Sequence, residues 1–247
     1  MLRGLVHSIV VVSLTVLTQI GGCAWLAALL FKSRMLAFIA LYAVMWAAAV
    51  WIAPVFGRTA LSCWDTGPLQ MQSWLYCGLN RHYVTPDAKA LLYDMAEAVD
   101  RRFPGTVTLV LDANFPFVTG FPLLPHLSHD DGEKADLAFY YANEGNYIAA
   151  ATRSPIGYFA FEDGPSTCPE VWPTLRWNLR SLQSLWRTYE LDEARTAFLL
   201  STLAKDERVG KILLEPHLKS RLRLSSDKIR FQGCGAARHD DHIHIQL

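Results

Sequence analysis

Two long apolar runs open the chain. Residues 4–31 and residues 35–56 contain no Lys, Arg, Asp or Glu. Each run is long enough to cross a hydrocarbon core of roughly 30 Å, which needs about 20 apolar residues. The pattern therefore predicts a hairpin of two transmembrane helices that holds residues 4–56 in a lipid bilayer. A single signal peptide followed by a buried helix is the alternative interpretation.

The connector between the two runs sets the expected orientation. Lys32 and Arg34 make it basic, and basic connectors tend to stay in the cytoplasm. Both ends of the hairpin then lie outside, although Arg3 competes with the connector. We expect residues 1–58 to form a membrane hairpin and residues 59–247 to form an extracytoplasmic domain.

Downstream of residue 59, helical and strand periodicities are mixed. Apolar residues recur at helical spacing over 85–103, 174–188 and 192–204, and β-branched or alternating runs predict strands over 106–111, 136–141, 156–161, 211–215 and 241–246. The elements do not alternate as regular βαβ units. This order is typical of an α+β fold with a mainly antiparallel sheet and flanking helices.

Composition narrows the function classes. The formal net charge is zero, and without a basic footprint the chain is not expected to bind nucleic acid. Four of the five cysteines follow residue 59: Cys63, Cys77, Cys168 and Cys234. An even number permits disulfides in an oxidising compartment, and Cys63 with Cys77 is a plausible pair, but pairing cannot be deduced from sequence. The fifth, Cys23, ends a run that loosely resembles a lipoprotein cleavage site, although the apolar run continues beyond it.

Five of the eight histidines lie in two short stretches, 126–129 and 239–244. In the first stretch, Gly132 permits a sharp turn, which can bring His129 and Asp136 to a common point. An acidic surface loop is the alternative interpretation. The second stretch enters the predicted strand at the end of the sequence.

Side chains alternate faces along a strand, so His242 and His244 share one face and Ile243 and Ile245 share the other. The two histidine backbones are then about 7 Å apart, from a rise of about 3.3 Å per residue. That separation suits one histidine as a metal ligand and the other as its neighbour beside water or substrate. A polar edge strand with solvated histidines is the alternative. Two imidazoles and one carboxylate that leave a fourth position open are typical of catalytic zinc.

The two stretches together resemble the LAS group of zinc peptidases. The matching motifs are Ser-His-x-x-Gly-x-x-x-Asp-Leu at residues 128–137 and His-x-His at residues 242–244. The group includes lysostaphin-type enzymes, D-Ala-D-Ala peptidases and penicillin-insensitive murein endopeptidases. The last are the most similar, because they have one extra histidine three residues before the ligand histidine of the first motif and another three residues before His-x-His; here these are His126 and His239. The resemblance covers roughly residues 105–247.

The resemblance implies one Zn²⁺ ion with His129, Asp136 and His244 as its ligands. It implies that His242 is the catalytic histidine beside the metal and that His239 assists it. Because His239 has the wrong parity for the strand face of His242, it must sit on a bend before the strand if it is to point into the site.

Three further residues are expected near the metal or substrate. The resemblance places His126 there. Asp240 and Asp241 are candidates to orient the histidines through hydrogen bonds. Two solvated acids at the start of a strand are the alternative for this pair.

These inferences converge on a membrane-anchored zinc metallopeptidase of the bacterial inner membrane, whose catalytic domain faces the periplasm or exterior. The resemblance implies hydrolysis of peptidoglycan peptides as a D,D-endopeptidase on cross-links, with D,D- or L,D-carboxypeptidase activity on stem peptides as the alternative. A module that binds metal or peptidoglycan without turnover, and a metal-free cytosolic acid–base enzyme, are alternatives from other classes. Tyr140, Tyr141 and Tyr158 are expected to pack in the core or at its rim rather than line a substrate groove.

Overall fold

The structure is a computed structural model that describes residues 2–169, 176, 177 and 179–247. Its helices are α1 Leu2–Thr18, α2 Gly21–Ala28, α3 Arg34–Ile52, α4 Trp74–Gly78, α5 Pro86–Arg102, α6 Arg180–Gln183, α7 Glu193–Lys205 and α8 Pro216–Arg221, with a 3₁₀ turn at Ala53–Phe56. Its strands are β1 Thr59–Ala60, β2 Leu69–Met71, β3 Tyr83–Val84, β4 Thr108–Asp112, β5 Lys134–Ala138, β6 Tyr141–Asn143, β7 Asn146–Tyr147, β8 Glu190–Leu191, β9 Lys211–Leu213, β10 Ile229–Arg230 and β11 His242–Gln246. The fold class is α+β, as predicted.

The chain forms two compact units, each built from separate segments. The first contains Met1–Cys63, Trp74–Lys89 and Asp112–Lys134, and the second contains Trp64–Ser73, Ala90–Leu111 and Ala135–Leu247. These units reflect packing. The sequence division into 1–58 and 59–247 was drawn instead from membrane topology, and it stays a prediction.

The first apolar run is broken in the middle, so it does not form the single helix predicted over 4–31. Gln19 has a positive φ of 67°, and the Thr18 hydroxyl accepts a hydrogen bond from Gly21 N at 2.8 Å. A Cβ on Gly22 would lie 1.9 Å from Thr15 Oγ1. Glycine therefore allows α2 to turn back and pack closely on α1.

The second apolar run forms one helix of spanning length. Arg34–Phe56 has 23 residues and a mean hydropathy of 2.2, and at 1.5 Å per residue it is about 34 Å long. Among the described residues it is the one helix that is long and apolar enough to cross a membrane; α1 is apolar but shorter. The predicted pair of continuous spans is thus reduced to one.

Within the first unit, short segments pack on the end of α3. Trp46 Nε1 donates to Cys77 O at 2.7 Å, and a disulfide joins Cys77 to Cys63. Ala49 and Ala53 form a small core with the fully buried Tyr83. Tyr83 belongs to β3, which pairs antiparallel with β1.

The second unit is organised by a six-stranded sheet in the order β10-β9-β11-β5-β4-β2. The sheet is mixed: β10 runs parallel to β9 and β2 runs parallel to β4, whereas β11 is antiparallel to β9. The terminal strand β11 lies in the interior of this sheet, between β9 and β5. Because it lies between two strands, β11 is buried from His242 to Ile245.

Several predicted elements are confirmed and others are shorter or absent. The helices over 85–103 and 192–204 and the strands over 106–111 and 241–246 are present within two residues of the predicted ends. Residues 156–161 form no strand, because Gly157 and Phe159 have positive φ values of 81° and 64°. In the predicted helix 174–188, the described part is helical only at α6, and residues 174, 175 and 178 lie outside the described residues. A disulfide joins Cys168 to Cys234.

Candidate metal centre

Asp136 and His244 meet in the second unit on neighbouring strands, β5 and β11. Asp136 Oδ1 and His244 Nδ1 are 2.9 Å apart, and both residues are buried. Ile243 and Ile245 are also buried, on the opposite face of β11, so the predicted alternation holds while neither face is solvated. The alternative of a polar edge strand with solvated histidines is wrong.

His242 is held by its sequence neighbour. Its Nδ1 lies 2.6 Å from Asp241 Oδ1, so the neutral ring donates from Nδ1 and keeps Nε2 as an acceptor. Nε2 is 3.7 Å from Asp136 Oδ2. The carboxylate of Asp241 therefore selects the tautomer and turns the basic nitrogen of His242 toward Asp136.

His239 lies on the bend that precedes β11, where the parity argument requires it. Its ring centroid is 5.0 Å from that of His242 and 5.8 Å from that of His244. Glu215 clamps this bend, because Glu215 N donates to His239 O at 3.1 Å while His239 N donates to Glu215 Oε1 at 3.3 Å. Arg176 binds both oxygens of Glu215, at 3.0 and 2.7 Å.

Tyr158 completes the surroundings of Asp136, which the sequence alone did not indicate. Its hydroxyl donates to Asp136 Oδ2 at 2.7 Å, and its ring meets the His242 ring edge to face at 4.9 Å. Phe159 N donates to Asp241 Oδ2 at 2.5 Å. The segment from Tyr158 to Phe159 thus contacts both carboxylates of the cluster. Tyr140 and Tyr141 are buried as predicted.

The donor set in this unit fits a zinc ion. Zinc–nitrogen and zinc–oxygen bonds of about 2.0–2.1 Å in tetrahedral geometry put ligand atoms about 3.3 Å apart. The two predicted ligands in this unit, Asp136 Oδ1 and His244 Nδ1, are 2.9 Å apart, which is close to that value. A buried carboxylate beside imidazole nitrogens also has the mixed nitrogen and oxygen character that zinc accepts.

Asp240 and Asp241 are both buried, so the alternative of two solvated acids is wrong. Asp241 orients His242, as described above. Asp240 instead pairs with Arg238, whose Nε lies 2.9 Å from Asp240 Oδ1. Burial raises the pKa of the Asp240 carboxyl, and the Arg238 guanidinium opposes that rise.

The other histidine motif lies in the first unit. His129 is buried, and its Nδ1 is 2.8 Å from Ala113 O. A hydrogen bond from Nδ1 to this carbonyl leaves Nε2 as the nitrogen available to a metal. The ring of His126 lies 5.4 Å from that of His129. The role of His129 as the third ligand stays a prediction from the motif.

His126 lies beside a buried ion pair between Arg81 and Asp112, which the sequence did not indicate. Arg81 Nε donates to Asp112 Oδ1 at 2.8 Å, and Arg81 Nη1 donates to Leu124 O at 2.8 Å. His126 Nδ1 lies 3.3 Å from Asp112 Oδ2. Asp112 is the last residue of β4 and is fully buried. A carboxylate at this place holds both the arginine and the histidine.

Arg58 ties the same histidine segment to the chain just after α3 and its 3₁₀ turn. It is buried, and its guanidinium donates to Thr119 Oγ1 at 3.1 Å and to Asp130 O at 3.2 Å. Gly132 has a φ of +90°, and a Cβ there would lie 2.7 Å from Arg58 Nε. Glycine is therefore required both for the turn and for the close approach of Arg58.

No protein-family model matches the chain, and a search of curated proteins finds no match. Arg81, Asp112 and Glu215 were not singled out from the sequence, because each forms its contact with a residue more than 20 positions away. Tyr158 was expected only to pack. No local spacing signals these contacts.

Proposed function

We propose that the protein is a membrane-anchored zinc metallopeptidase that hydrolyses amide bonds in peptidoglycan peptides, acting as a D,D-endopeptidase on cross-links. The observation that carries the proposal is the buried cluster in the second unit. Asp136 lies there against His244, and His242 presents its basic nitrogen toward the same carboxylate. The motif resemblance supplies the reaction class and adds His129 as the third ligand.

Asp136 and His244 would hold the metal, with His129 completing the set. Bound zinc would supply a Lewis acid that polarises the scissile carbonyl and lowers the pKa of the attacking water. The rest of the chemistry falls to the side chains around it.

His242 is the proton-transfer group in this proposal. Asp241 holds the proton of Nδ1, so Nε2 accepts a proton from water and returns it to the leaving amine. Asp241 also stabilises the imidazolium that forms in between. His239, whose ring lies beside that of His242, is placed to assist at the developing oxyanion.

Two features support a membrane anchor with an extracytoplasmic domain. Large apolar side chains of α1 and α3 are exposed to a degree that is unusual on a soluble surface, among them Leu5, Ile9, Val12, Ile39 and Val44. Two disulfides in the remainder of the chain suit an oxidising compartment. We therefore propose anchoring in the inner membrane through residues 4–56, with the cluster facing the periplasm or exterior.

The test uses the full chain in detergent micelles. Zinc content and cleavage of cross-linked muropeptides are measured for the parent, His244→Ala and His242→Ala, with His7→Ala as a control that removes a histidine elsewhere. We expect one zinc and cleavage in the parent and in the control. His244→Ala should lose zinc, and His242→Ala should keep zinc while losing most activity.

Each other outcome has a definite meaning. A parent that binds zinc and trims only stem peptides is a carboxypeptidase. A parent that binds zinc and cleaves neither substrate is a binding module. A parent that binds no metal contradicts the proposal.

A further inference from the structure

The second unit contains a cavity that the proposed chemistry leaves unexplained. It has a volume of about 430 Å³ and lies between residues 150–155 and residues 185–189, with Gln72 on its wall. Two arginines, Arg153 and Arg187, line it. Among the described residues no Asp or Glu does so. The cavity is therefore lined by an excess of positive charge.

The two arginines are not equivalent. Arg153 is already engaged, because its guanidinium donates to Glu162 Oε1 and to Phe161 O, both at 3.1 Å. Arg187 is exposed, and within the described chain its guanidinium makes no hydrogen bond or ion pair. An arginine without a partner on a cavity wall favours a carboxylate, which it binds with two parallel hydrogen bonds.

The remaining lining fits the carbon skeleton of such a ligand. Trp186 and Tyr189 line the cavity together with Leu185 and Pro155. Polar side chains, among them Gln72 and Thr152, line the cavity beside these residues, and fixed polar groups next to apolar and aromatic surface are typical of sites for small organic ligands. A carboxylate that is joined to a short aliphatic stem satisfies both features, whereas inorganic phosphate would leave the aromatic wall unused.

The wall of the cavity runs directly into the candidate metal centre. Ser154 Oγ donates to Tyr158 O at 2.6 Å, and Trp186 Nε1 donates to Phe159 O at 2.8 Å. Tyr158 in turn donates to Asp136. Only three residues separate Ser154 on the cavity wall from the tyrosine that contacts the metal-binding carboxylate. A ligand in the cavity would thus lie on the segment that positions Asp136.

We propose that this cavity is a subsite for an acidic peptide, in which a side-chain carboxylate of the peptide pairs with Arg187 and its aliphatic stem lies against Trp186 and Tyr189. The inference rests on the proposed function, because it names a feature of the peptides that the metal centre would cleave. It predicts a preference for acidic over amidated peptides.

The test measures binding without turnover. The probes are N-acetyl-L-Ala-D-Glu and N-acetyl-L-Ala-D-Gln, both with the main-chain carboxyl group amidated so that they differ only in the side-chain carboxylate. Each is titrated calorimetrically into the metal-free full chain in detergent. Arg187→Gln is compared with Arg223→Gln, which changes another exposed arginine outside the cavity. We expect the parent and Arg223→Gln to bind the acid about 10-fold more tightly than the amide, as for one charged hydrogen-bonded pair. Arg187→Gln should bind both probes equally.

Equal binding of the two probes by the parent, or an acid preference that survives in Arg187→Gln, would overturn the inference. So would the absence of binding of either probe to the parent. Because no metal or cleavage is involved, these results are independent of the peptidase test. Turnover without an acid preference rejects the subsite alone, and an acid preference without turnover rejects the peptidase alone.

Discussion

Substitution of Tyr158 by phenylalanine tests the candidate metal centre with the loss of a single oxygen atom. The hydroxyl donates to Asp136 Oδ2 at 2.7 Å. Asp136 is fully buried, so water cannot replace the lost donor, and His242 Nε2 is too distant at 3.7 Å to form a hydrogen bond in its place. A hydrogen bond to a charged group contributes about 1.5–3 kcal/mol. At 1.4 kcal/mol per decade, Tyr158→Phe should weaken zinc binding by roughly 10- to 100-fold, the range found for partners of metal ligands.

The assay is zinc affinity of the full chain in detergent, measured by competition with a chromophoric chelator. Thermal unfolding of the metal-free protein is recorded beside it. Tyr93→Phe is the matched control, because Tyr93 also donates to a carboxylate, Asp65 Oδ2, at 3.0 Å. Tyr93→Phe should leave zinc affinity unchanged.

The reasoning is refuted if Tyr158→Phe binds zinc as tightly as the parent. In that case the contact with His244 alone would set the orientation of Asp136. An equal loss of affinity in Tyr93→Phe would also refute it, since the effect would then be general destabilisation.

Three further predictions concern stability and the histidine segment. Burial lowers the pKa of His82 to about 4 from an ordinary 6.5. The unfolded chain then binds more protons between these pH values, so the free energy of unfolding falls as pH drops through this window, by up to about 3 kcal/mol. His82→Asn should make the unfolding midpoint depend less on pH over this range. Arg58→Met should destabilise the fold by about 2–4 kcal/mol, since carbonyl groups buried against Arg58 lose a charged donor, and a rise in limited proteolysis at residues 119–130 would check this. Glu215→Ala should cost about 3–5 kcal/mol by chemical denaturation, because it leaves the buried charge of Arg176 unpaired; an unchanged midpoint would contradict the clamp on His239.

Hydropathy predicted the helices of the apolar N-terminal region only in part. A window average responds to apolar content, and residues 4–31 are apolar throughout. It does not respond to the pair Gly21-Gly22, which lets α2 fold back on α1 at the positive φ of Gln19. The length of Arg34–Phe56, by contrast, follows directly from its sequence.

The sequence likewise predicted the surroundings of the histidine cluster only in part. Alternation along β11 correctly put His242 and His244 on one face, and the parity of His239 correctly required a bend. The predicted strand over 156–161 was wrong, and this error concealed Tyr158. Two residues with positive φ break that strand and turn the tyrosine hydroxyl toward Asp136.

The sequence by itself determined the chemistry that is available: the ligand types, their spacing, the face of the last strand and one helix of spanning length. These are local properties, set by the periods of helix and strand and by side-chain identity. Only the tertiary structure decided which carboxylate serves which partner. Asp241 binds His242 whereas the adjacent Asp240 binds Arg238, and Asp136 receives Tyr158. The reason is physical, because a strand period fixes the face of a residue while the groups packed against that face come from distant parts of the chain.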